Sequence, residues 1–244
     1  MSTYKIADLD GRKIVINQTW AGIMAAYVDD IAFCNHVSNG AIFEQDMIKD
    51  MLEPYIKRSK YIFDIGAHTG HHTIPYCNIN PDAIIQSFEP QPEMFKLLNI
   101  NVMNNKHLTK NVHICNMALG NNHSILEMQK NTFGGSAYIG KGGHSVHCTT
   151  LDSLNPIGCD YMKIDVEGYE PLIIEGAINT IKKFHPFIVF EDNGSSKDNN
   201  ITDLNIHEML KGLEYHIHEL VYDNYLAIPI VKSNFKNCSG IVSH

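Results

Sequence analysis

A glycine-flanked turn follows a short apolar run that carries an acid. The run spans residues 61–65 and contains Asp64, and the turn at 66–70 leads into a segment compatible with a helix. A strand, a tight turn and a helix start form an arrangement in which backbone N–H groups can face a ligand. The candidate ligand-binding residues of this stretch are Asp64, Gly66, Ala67, His68, Thr69 and Gly70.

The spacing of the glycines limits which ligand the turn can hold. A dinucleotide site needs G-x-G-x-x-G after the strand, but His68 and His71 occupy the second and third glycine positions. A phosphate loop ending in Gly-Lys-Ser or Gly-Lys-Thr is also missing from the sequence. The pattern therefore argues against NAD and against a nucleoside triphosphate.

A second acid ends the next strand candidate. Residues 83–88 are apolar enough for a strand, and Glu89 and Pro90 follow them. In doubly wound sheets an acid at this place accepts hydrogen bonds from ribose hydroxyls, although an acid at a strand end is also commonly a solvated cap. Taken together with the turn, Glu89 indicates an adenosine-containing ligand without a pyrophosphate. S-adenosylmethionine fits that description, and the pattern is that of the class I methyltransferases.

Acids also follow the fourth and fifth strand candidates. Asp165 and Glu167 end the fourth, and Glu191 and Asp192 follow the fifth. Open α/β sheets bind ligands at these strand ends, so Asp165 and Glu167 are candidate catalytic residues. Asp165, Glu191 and Asp192 could also hold Mg²⁺, which takes oxygen ligands and would acidify a bound hydroxyl. The alternative is that Glu167 bonds loop amides and that Glu191 or Asp192 caps the next turn.

Histidine is abundant, with 14 residues, and imidazole titrates near neutral pH. His71 and His72 open the helix after the turn, while His144 and His147 follow a glycine-rich insertion at 134–143. Any of the four could act as a general base, and the sequence does not choose among them. We name His144, with Asp165 and Glu167, as a candidate catalytic residue.

The strand ends meet only if the strands share one sheet. From residue 61 onward strand and helix patterns alternate, which implies parallel strands with right-handed crossovers. We predict an α/β fold of the Rossmann-like class I methyltransferase type. It has a mostly parallel sheet, helices on both faces and a C-terminal antiparallel strand pair.

The first 40 residues follow a different pattern. An Asp10-Gly11 turn between apolar-rich runs predicts a hairpin over residues 3–17. Apolar residues at helical spacing in 19–37 favour a helix that could cover a site, and 43–55 has the pattern of an amphipathic helix. We predict that residues 1–40 form a hairpin and a lid-like extension. Residues 41–244 would form the methyltransferase domain, a single globular unit.

The span from about residue 40 to residue 191 resembles the FkbM family of methyltransferases. The Lys-Ile-Asp-Val-Glu-Gly sequence at 163–168 is its most discriminating part, and the family usually has asparagine where this chain has His68. The residues that carry the resemblance are Phe-Asp-Ile-Gly-Ala-His-Thr-Gly (63–70), Ser-Phe-Glu-Pro (87–90), Asn-Met-Ala-Leu-Gly (116–120), Thr-Leu-Asp-Ser-Leu (150–154), Met-Lys-Ile-Asp-Val-Glu-Gly-Tyr-Glu (162–170), Gly176-Ala177 and the strand at 186–191.

The resemblance implies transfer of a methyl group from S-adenosylmethionine to an oxygen of a sugar, a glycan or a sugar-containing small molecule. It also places Glu44 near the cofactor, together with Asn116, Ala118 and Asp165. With the residues of the turn and Glu89-Pro90, these complete the predicted cofactor set. The residues before about 40 and after 191 match no family pattern, and we expect them to determine substrate choice.

Composition argues against one class of partner. The formal net charge of −8 argues against broad binding to nucleic acid, which requires basic surface. A nucleic-acid methyltransferase remains an alternative, but the fourth strand is followed by Asp-Val-Glu-Gly and not by the paired prolines of base-modifying enzymes. A non-catalytic cofactor-binding module is a further alternative.

The sequence also gives expectations about location. It contains no secretory signal pattern and no apolar stretch of the roughly 20 residues that a membrane helix needs. Its six cysteines are scattered and form no C-x-x-C pair, as expected of reduced, buried thiols. We therefore expect a cytoplasmic protein.

Overall fold

The computed structural model describes residues 4–128, 143–194, 196, 201 and 203–233, so most of the glycine-rich insertion lies outside the described residues. The strands are β1 (Lys5–Leu9), β2 (Arg12–Gln18), β3 (Ile23–Tyr27), β4 (Tyr61–Ile65), β5 (Ile84–Phe88), β6 (Val112–Cys115), β7 (Ala118–Leu119), β8 (Ser124–Met128), β9 (His144–Thr149), β10 (Tyr161–Ile164), β11 (Phe187–Glu191), β12 (Tyr215–Glu219) and β13 (Asn224–Pro229).

Short helices connect the strands and cover the sheet. They are α1 (Ile31–Ser38), a π-helix (Met47–Leu52), α2 (Glu53–Lys57), α3 (Thr73–Ile79), α4 (Pro92–Asn104), a 3₁₀ turn (Asp152–Leu154), α5 (Glu170–Glu175), α6 (Ile178–Phe184), α7 (Ile206–Gly212) and α8 (Ile230–Ser233). The helix predicted over 43–55 is thus realised as a π-helix followed by α2. None of the helices in the described part of the chain is long and apolar enough to cross a membrane.

A seven-stranded sheet forms the centre of the molecule, in the order β12-β13-β11-β10-β4-β5-β6. The five strands from β11 to β6 are parallel, and β13 runs antiparallel to both β11 and β12. The predicted fold class is confirmed, including the C-terminal antiparallel pair. From β4 the chain proceeds to β5 and β6 on one side, and it later crosses to β10 and β11 on the other. The carboxyl ends of β4 and β10 therefore flank a switch point, where open sheets of this kind bind ligands.

Residues that alternate along each strand divide between two apolar cores. Ile62 belongs to the core that also contains residues of the N-terminal sheet, whereas Phe63 belongs to the core beneath α5 and α6. All four residues of β10 are buried, as expected of a central strand that is covered on both faces. This double burial explains why the strand reads as a nearly continuous apolar run.

The N-terminal segment forms a separate antiparallel sheet in the order β1-β2-β3. The predicted hairpin is confirmed, with Leu9 paired to Arg12 across the turn. The helix expected over 19–37 is wrong in its first half, because residues 23–27 form β3 and only 31–38 are helical. Four of the five residues of β3 are buried, so the strand lacks the polar alternation that identifies a half-exposed strand.

Asn101 of α4 and Asn105, the residue after its last turn, complete the outer edge of β3. Asn105 accepts from the Ile23 N–H at 2.8 Å and donates to the Ile23 carbonyl at 2.7 Å. Asn101 makes the same pair of bonds with Ala25 at 2.7 and 3.0 Å, and it donates to the Thr69 carbonyl at 2.7 Å. The side-chain amides thus make the hydrogen bonds to the β3 backbone that a neighbouring strand would make. Through Asn101 they also tie the N-terminal sheet to the glycine turn after β4.

Candidate functional site

A cleft of about 540 Å³ opens at the carboxyl ends of the central strands. Its wall combines the turn after β4, the ends of β5, β10 and β11, and residues of α1. The carboxylates that line it are Asp30, Glu44, Glu89, Asp165, Glu167 and Glu191. Most of the predicted strand-end acids therefore meet in one place.

Gly66 allows the turn to lie against the end of β10. Its φ of +83° is unfavourable for residues with a side chain, and a Cβ there would lie 1.8 Å from the Asp165 carbonyl oxygen. This contact brings the predicted cofactor turn next to the Lys163-to-Glu170 sequence. The wall of the cleft at this point is therefore backbone.

The amides of the turn are used within the protein, contrary to the expectation that they face a ligand. Gly66 and Ala67 donate to the Phe88 carbonyl at 3.0 and 2.9 Å, and Gly70 donates to the Ala67 carbonyl at 2.7 Å. The His68 amide donates to Glu89 Oε2 at 2.8 Å. These bonds hold the turn against the end of β5. The four N–H groups therefore stabilise the cleft wall and do not point at a ligand.

His68 occupies a position that needs a left-handed backbone, with φ of +50°. Asparagine and histidine are among the residues that tolerate this region, which explains how His68 can replace the asparagine usual in the FkbM family. Both ring nitrogens are buried, and neither has a hydrogen-bond partner within the described residues. Burial lowers the pKa of His68 to about 4, so the ring is neutral at neutral pH.

Asp64 is fully buried and supports the turn from beneath. Its Oδ2 accepts a hydrogen bond from the Thr73 hydroxyl, which also lies 2.8 Å from the Ser87 hydroxyl. Thr73 opens α3. Asp64 thus connects β4, β5 and α3, and among the described residues it is not part of the cleft wall.

Glu89 lies in the cleft wall at the end of β5. Its two oxygens accept from the amides of His68 and Gln91, both at 2.8 Å. Burial raises the pKa of Glu89 to about 7, although these two hydrogen bonds oppose the shift. Each carboxylate oxygen retains a further lone pair. Asn116 fixes the strand end by donating to the carbonyls of Glu89 and Pro90 at 2.8 and 3.0 Å.

A narrow apolar pocket adjoins the cleft and shares Gly66 and Pro90 with it. The remainder of its wall comes from the ends of β4, β5 and β6, the strands β7 and β8, and the segment that follows β10. We call it the apolar pocket, and its side-chain wall is formed mainly by Pro90, Met117, Ala118, Leu126, Met128 and Tyr169.

A buried ion pair fixes Asp165. Lys163 Nζ lies 2.9 Å from Asp165 Oδ2, and the lysine side chain is only 1 % exposed. Burial alone would raise the pKa of Asp165, but Lys163 outweighs burial and holds it below its ordinary value. Burial would likewise lower the pKa of Lys163, and Asp165 and Asp64 reverse that effect. Asp165 is therefore an anion with a fixed partner, which makes it a poor proton acceptor.

The predicted Mg²⁺ ligands do not all come together. Asp165 and Glu191 lie close to each other, but the third carboxylate of that group is Glu170. Asp192 instead lies 3.1 Å from His207 Nε2. Because Lys163 already neutralises Asp165, this donor set fits Mg²⁺ poorly.

Glu167 and Glu191 remain as cleft carboxylates at the strand ends. Glu167 has a left-handed φ of +57°. Burial raises the pKa of Glu191 to about 8, and Asp165, Glu167 and Glu170 add to the shift.

His144, predicted to be catalytic, lies 3.3 Å from Glu93 Oε1 on the N-terminal turn of α4. It is not among the described residues that line the cleft. Spacing alone could not settle its position, because His144 begins β9 and belongs to the smaller sheet β7-β9-β8.

Glu44, which the family resemblance places near the cofactor, lies in the wall of the cleft. Its Oε2 lies 2.9 Å from His72 Nε2, and its Oε1 accepts from Asn224 Nδ2 at 3.1 Å. Glu44 has a left-handed φ of +57°. Four non-glycine residues with left-handed backbones line the same cleft: Glu44, His68, Glu167 and Tyr222.

Sequence reasoning missed the aromatic part of the wall. Phe33 from α1 lies with its ring centroid 4.8 Å from that of Phe43 and 4.8 Å from that of His71. The two phenylalanines precede the region of family resemblance or lie at its start, and neither belongs to a recognisable spacing pattern. Tyr222, at the turn between β12 and β13, also lines the cleft.

Comparisons with known proteins agree with this architecture. An FkbM methyltransferase from Methylobacillus flagellatus KT superposes with a TM-score of 0.52 and 16 % identity, over 70 % of this chain and 43 % of that chain. This chain thus spans less than half the length of that protein, and at this identity the similarity concerns the fold. A SAM-dependent O-methyltransferase from Thermotoga maritima matches with a TM-score of 0.46 and 12 % identity, over 92 % of this chain and 85 % of that chain.

A search of curated protein sequences found no match. The sequence profile of the methyltransferase FkbM domain, in contrast, matches residues 64–220. That span runs from Asp64 at the glycine turn to the end of β12, and it includes both Glu89 and Asp165. The chain belongs to the methyltransferase FkbM domain family.

Proposed function

We propose that this chain is an S-adenosylmethionine-dependent O-methyltransferase that acts on a hydroxyl of a sugar, a glycan or a sugar-containing small molecule. The observation that carries the proposal is the buried Glu89 carboxylate beside the Gly66 turn, at the switch point of the sheet. When bound, S-adenosylmethionine supplies an electrophilic methyl group on a sulfonium sulfur.

The residues of the cleft fit this cofactor. Glu89 would accept hydrogen bonds from the ribose hydroxyls through its remaining lone pairs, and the apolar pocket, with Pro90 and Ala118, suits the adenine ring. The cleft carboxylates, Glu44 among them, favour a positively charged ligand. The other members of the predicted set would act by shaping the wall, and they are Asp64, Gly66, Ala67, His68, Thr69, Gly70, Asn116 and Asp165.

The charge of the cleft also supports a neutral acceptor. Asp30, Glu44 and Glu167 would repel phosphate groups, whereas carboxyl groups readily accept hydrogen bonds from hydroxyls. The rings of Phe33 and Phe43 offer an apolar surface for the C–H face of a sugar. The same charge weighs against the nucleic-acid alternative.

An acceptor hydroxyl must lose its proton as the new bond forms, and we propose Glu191 as the group that takes it. Its pKa of about 8 is close to the operating range of a general base. Asp165 is held by Lys163, and His144 bonds Glu93. Glu167, beside Glu191 in the cleft wall, would help to hold the acceptor.

The experiment is to supply methyl-labelled S-adenosylmethionine with a panel of free sugars, nucleotide sugars, oligosaccharides, RNA and DNA. We expect label in at least one neutral sugar or oligosaccharide, attached as an ether. Label in RNA or DNA would contradict the proposed acceptor class. Cofactor binding without transfer to any acceptor would favour the non-catalytic module instead.

A further inference from the structure

Glu44, His71 and His72 form a second group of potential metal ligands. Each contributes one ligand atom, and these atoms all lie within 4.8 Å of one another. Glu44 and His71 line the cleft, and His72 is completely buried next to them. One carboxylate and two imidazoles are a donor set suited to divalent transition metals.

His71 has an unsatisfied nitrogen that a metal-free role does not explain. Its side chain is 4 % exposed, yet Nδ1 is buried and has no hydrogen-bond partner within the described part of the chain. A buried polar atom without a partner costs free energy.

The other two ligands are held in place from outside the group. His72 Nδ1 lies 2.9 Å from the Tyr76 hydroxyl, which lies 3.2 Å from the Tyr161 hydroxyl. Asn224 donates to Glu44 Oε1 at 3.1 Å. These contacts leave His72 Nε2 and Glu44 Oε2 facing each other. Metal-binding histidines and carboxylates are oriented by such outer hydrogen bonds in the same way.

Nearby charge does not oppose a cation strongly. A cation close to this group is Lys163, whose pKa the Glu44 carboxylate helps to raise. Its charge is already paired with Asp165, at 2.9 Å. The Glu44 carboxylate supplies a negative charge to the group itself, and Asp30 lines the same cleft.

We propose that Glu44, His71 and His72 bind one divalent transition-metal ion, with Zn²⁺ as the best match, and that its open coordination position faces the cleft. Three protein ligands and one open position are typical of catalytic zinc sites. The role of the ion rests on the proposed function: it would bind the acceptor hydroxyl oxygen and lower the pKa of its proton, which Glu191 would accept.

The test is Zn²⁺ binding by the full chain after chelator treatment, measured by calorimetry, with the visible absorption of added Co²⁺ as a second readout. We expect one ion per chain in the wild type. His71→Ala and Glu44→Gln each remove a proposed ligand and should weaken Zn²⁺ binding by more than about 100-fold. Loss of a hydrogen bond to a ligand typically weakens metal binding by only about 10- to 100-fold. Asn224→Ala, which removes the outer hydrogen bond to Glu44 and the bond to the Tyr222 carbonyl, should weaken it by about 10-fold.

The matched control is His216→Ala, which removes an exposed histidine of β12 and should bind Zn²⁺ as the wild type does. Circular dichroism verifies that each variant is folded. Failure of the folded wild type to bind stoichiometric Zn²⁺, or equal affinity in His71→Ala, overturns the proposal. Binding of S-adenosylmethionine without Zn²⁺ binding overturns the metal site alone, whereas Zn²⁺ binding without cofactor binding overturns the proposed function alone.

Discussion

Glu191 illustrates how neighbours determine the chemistry of a single residue. Burial and three surrounding carboxylates raise its pKa to about 8, while Lys163 opposes them only weakly. Asp165, two residues from the same lysine, is held as an anion. Two acids at adjacent strand ends therefore have opposite properties, and the one with the raised pKa is suited to accept a proton.

We expect the methyl-transfer rate to rise with pH between about 6.5 and 8, because Glu191 becomes an active base only when it is ionised. Glu191→Gln should lower kcat by roughly 10²- to 10⁴-fold and abolish the rise. Asp192→Asn, which alters the neighbouring acid bonded to His207, should retain it. The measurement is kcat across this pH range, and a rise that persists in Glu191→Gln would contradict the assignment.

At this scale the sequence predicted the acids more successfully than their partners. Glu89, Asp165 and Glu191 could be predicted because each lies at the end of a recognisable strand, and Asp64 because it lies in a strand just before the glycine turn. The partner of Glu44 was not, since Asn224 is 180 residues away. The hydrogen bonds from the Gly66 and Ala67 amides could not be predicted either, because they depend on the position of the Phe88 carbonyl at the end of β5.

At the scale of secondary-structure elements, α4 and the residue that follows it are bonded to strand β3. The edge of a sheet normally exposes unpaired backbone groups, but Asn101 and Asn105 bond the backbone of Ala25 and Ile23. Asn101 also holds the Thr69 carbonyl. The position of the glycine turn thus depends on a helix and on the N-terminal sheet.

Replacing Asn101 with leucine should destabilise the protein by about 2–4 kcal/mol, because the N–H and C=O of Ala25 and the carbonyl of Thr69 lose their partner while buried. Asn104→Leu alters an exposed position of the same helix and should have little effect. Thermal and denaturant unfolding of the two variants would check this. Equal stabilities would show that the amide bonds contribute nothing.

The fold was predictable where short apolar runs are bounded by turn residues. The hairpin of β1 and β2 and the alternation from β4 to β13 followed from such patterns. Strand β3 did not, because its near-complete burial removes the alternation and leaves Ile23, Met24 and Tyr27 at a spacing equally typical of a helix.

At the scale of the whole molecule, we propose that residues 1–40 and 41–244 unfold together. One apolar core contains Val15 and Met24 from the N-terminal sheet together with Ile62 and Ile74 from the central sheet and α3. Residues of α1 also supply part of the cleft wall. A lid-like extension with this much shared core would not behave as an independent unit.

We predict that stability falls as pH rises from about 6.5 to 8. Glu89 and Glu170 have pKa values raised to about 7, and Glu191 to about 8, chiefly by burial. Above the ordinary pKa of 4.5 the folded state holds protons that the unfolded state has released, so stability falls as pH rises and stops falling once these groups have ionised in the folded state. The loss should be on the order of 2 kcal/mol after allowance for the partial exposure of Glu191.

His68 acts in the opposite direction at lower pH. Its pKa of about 4 lies below the ordinary value for histidine, so its contribution is complete above pH 6.5 and declines only as pH falls. Thermal unfolding at pH 6.5 and 8 would test the prediction, with Glu170→Gln expected to reduce the difference. Stability that is constant or rising over this interval would contradict it, and two separate transitions would contradict unfolding as one unit.

The central claim is that Glu89 and the glycine turn form the S-adenosylmethionine site, and calorimetry with that cofactor tests it most directly. We predict saturable binding by the wild type and at least about 10-fold weaker binding by Glu89→Gln, since a charge-assisted hydrogen bond contributes about 1.5–3 kcal/mol. Glu219→Gln, at an exposed acid of β12, should bind as the wild type does. No binding by the folded wild type at millimolar cofactor, or equal affinity in Glu89→Gln, would contradict the claim.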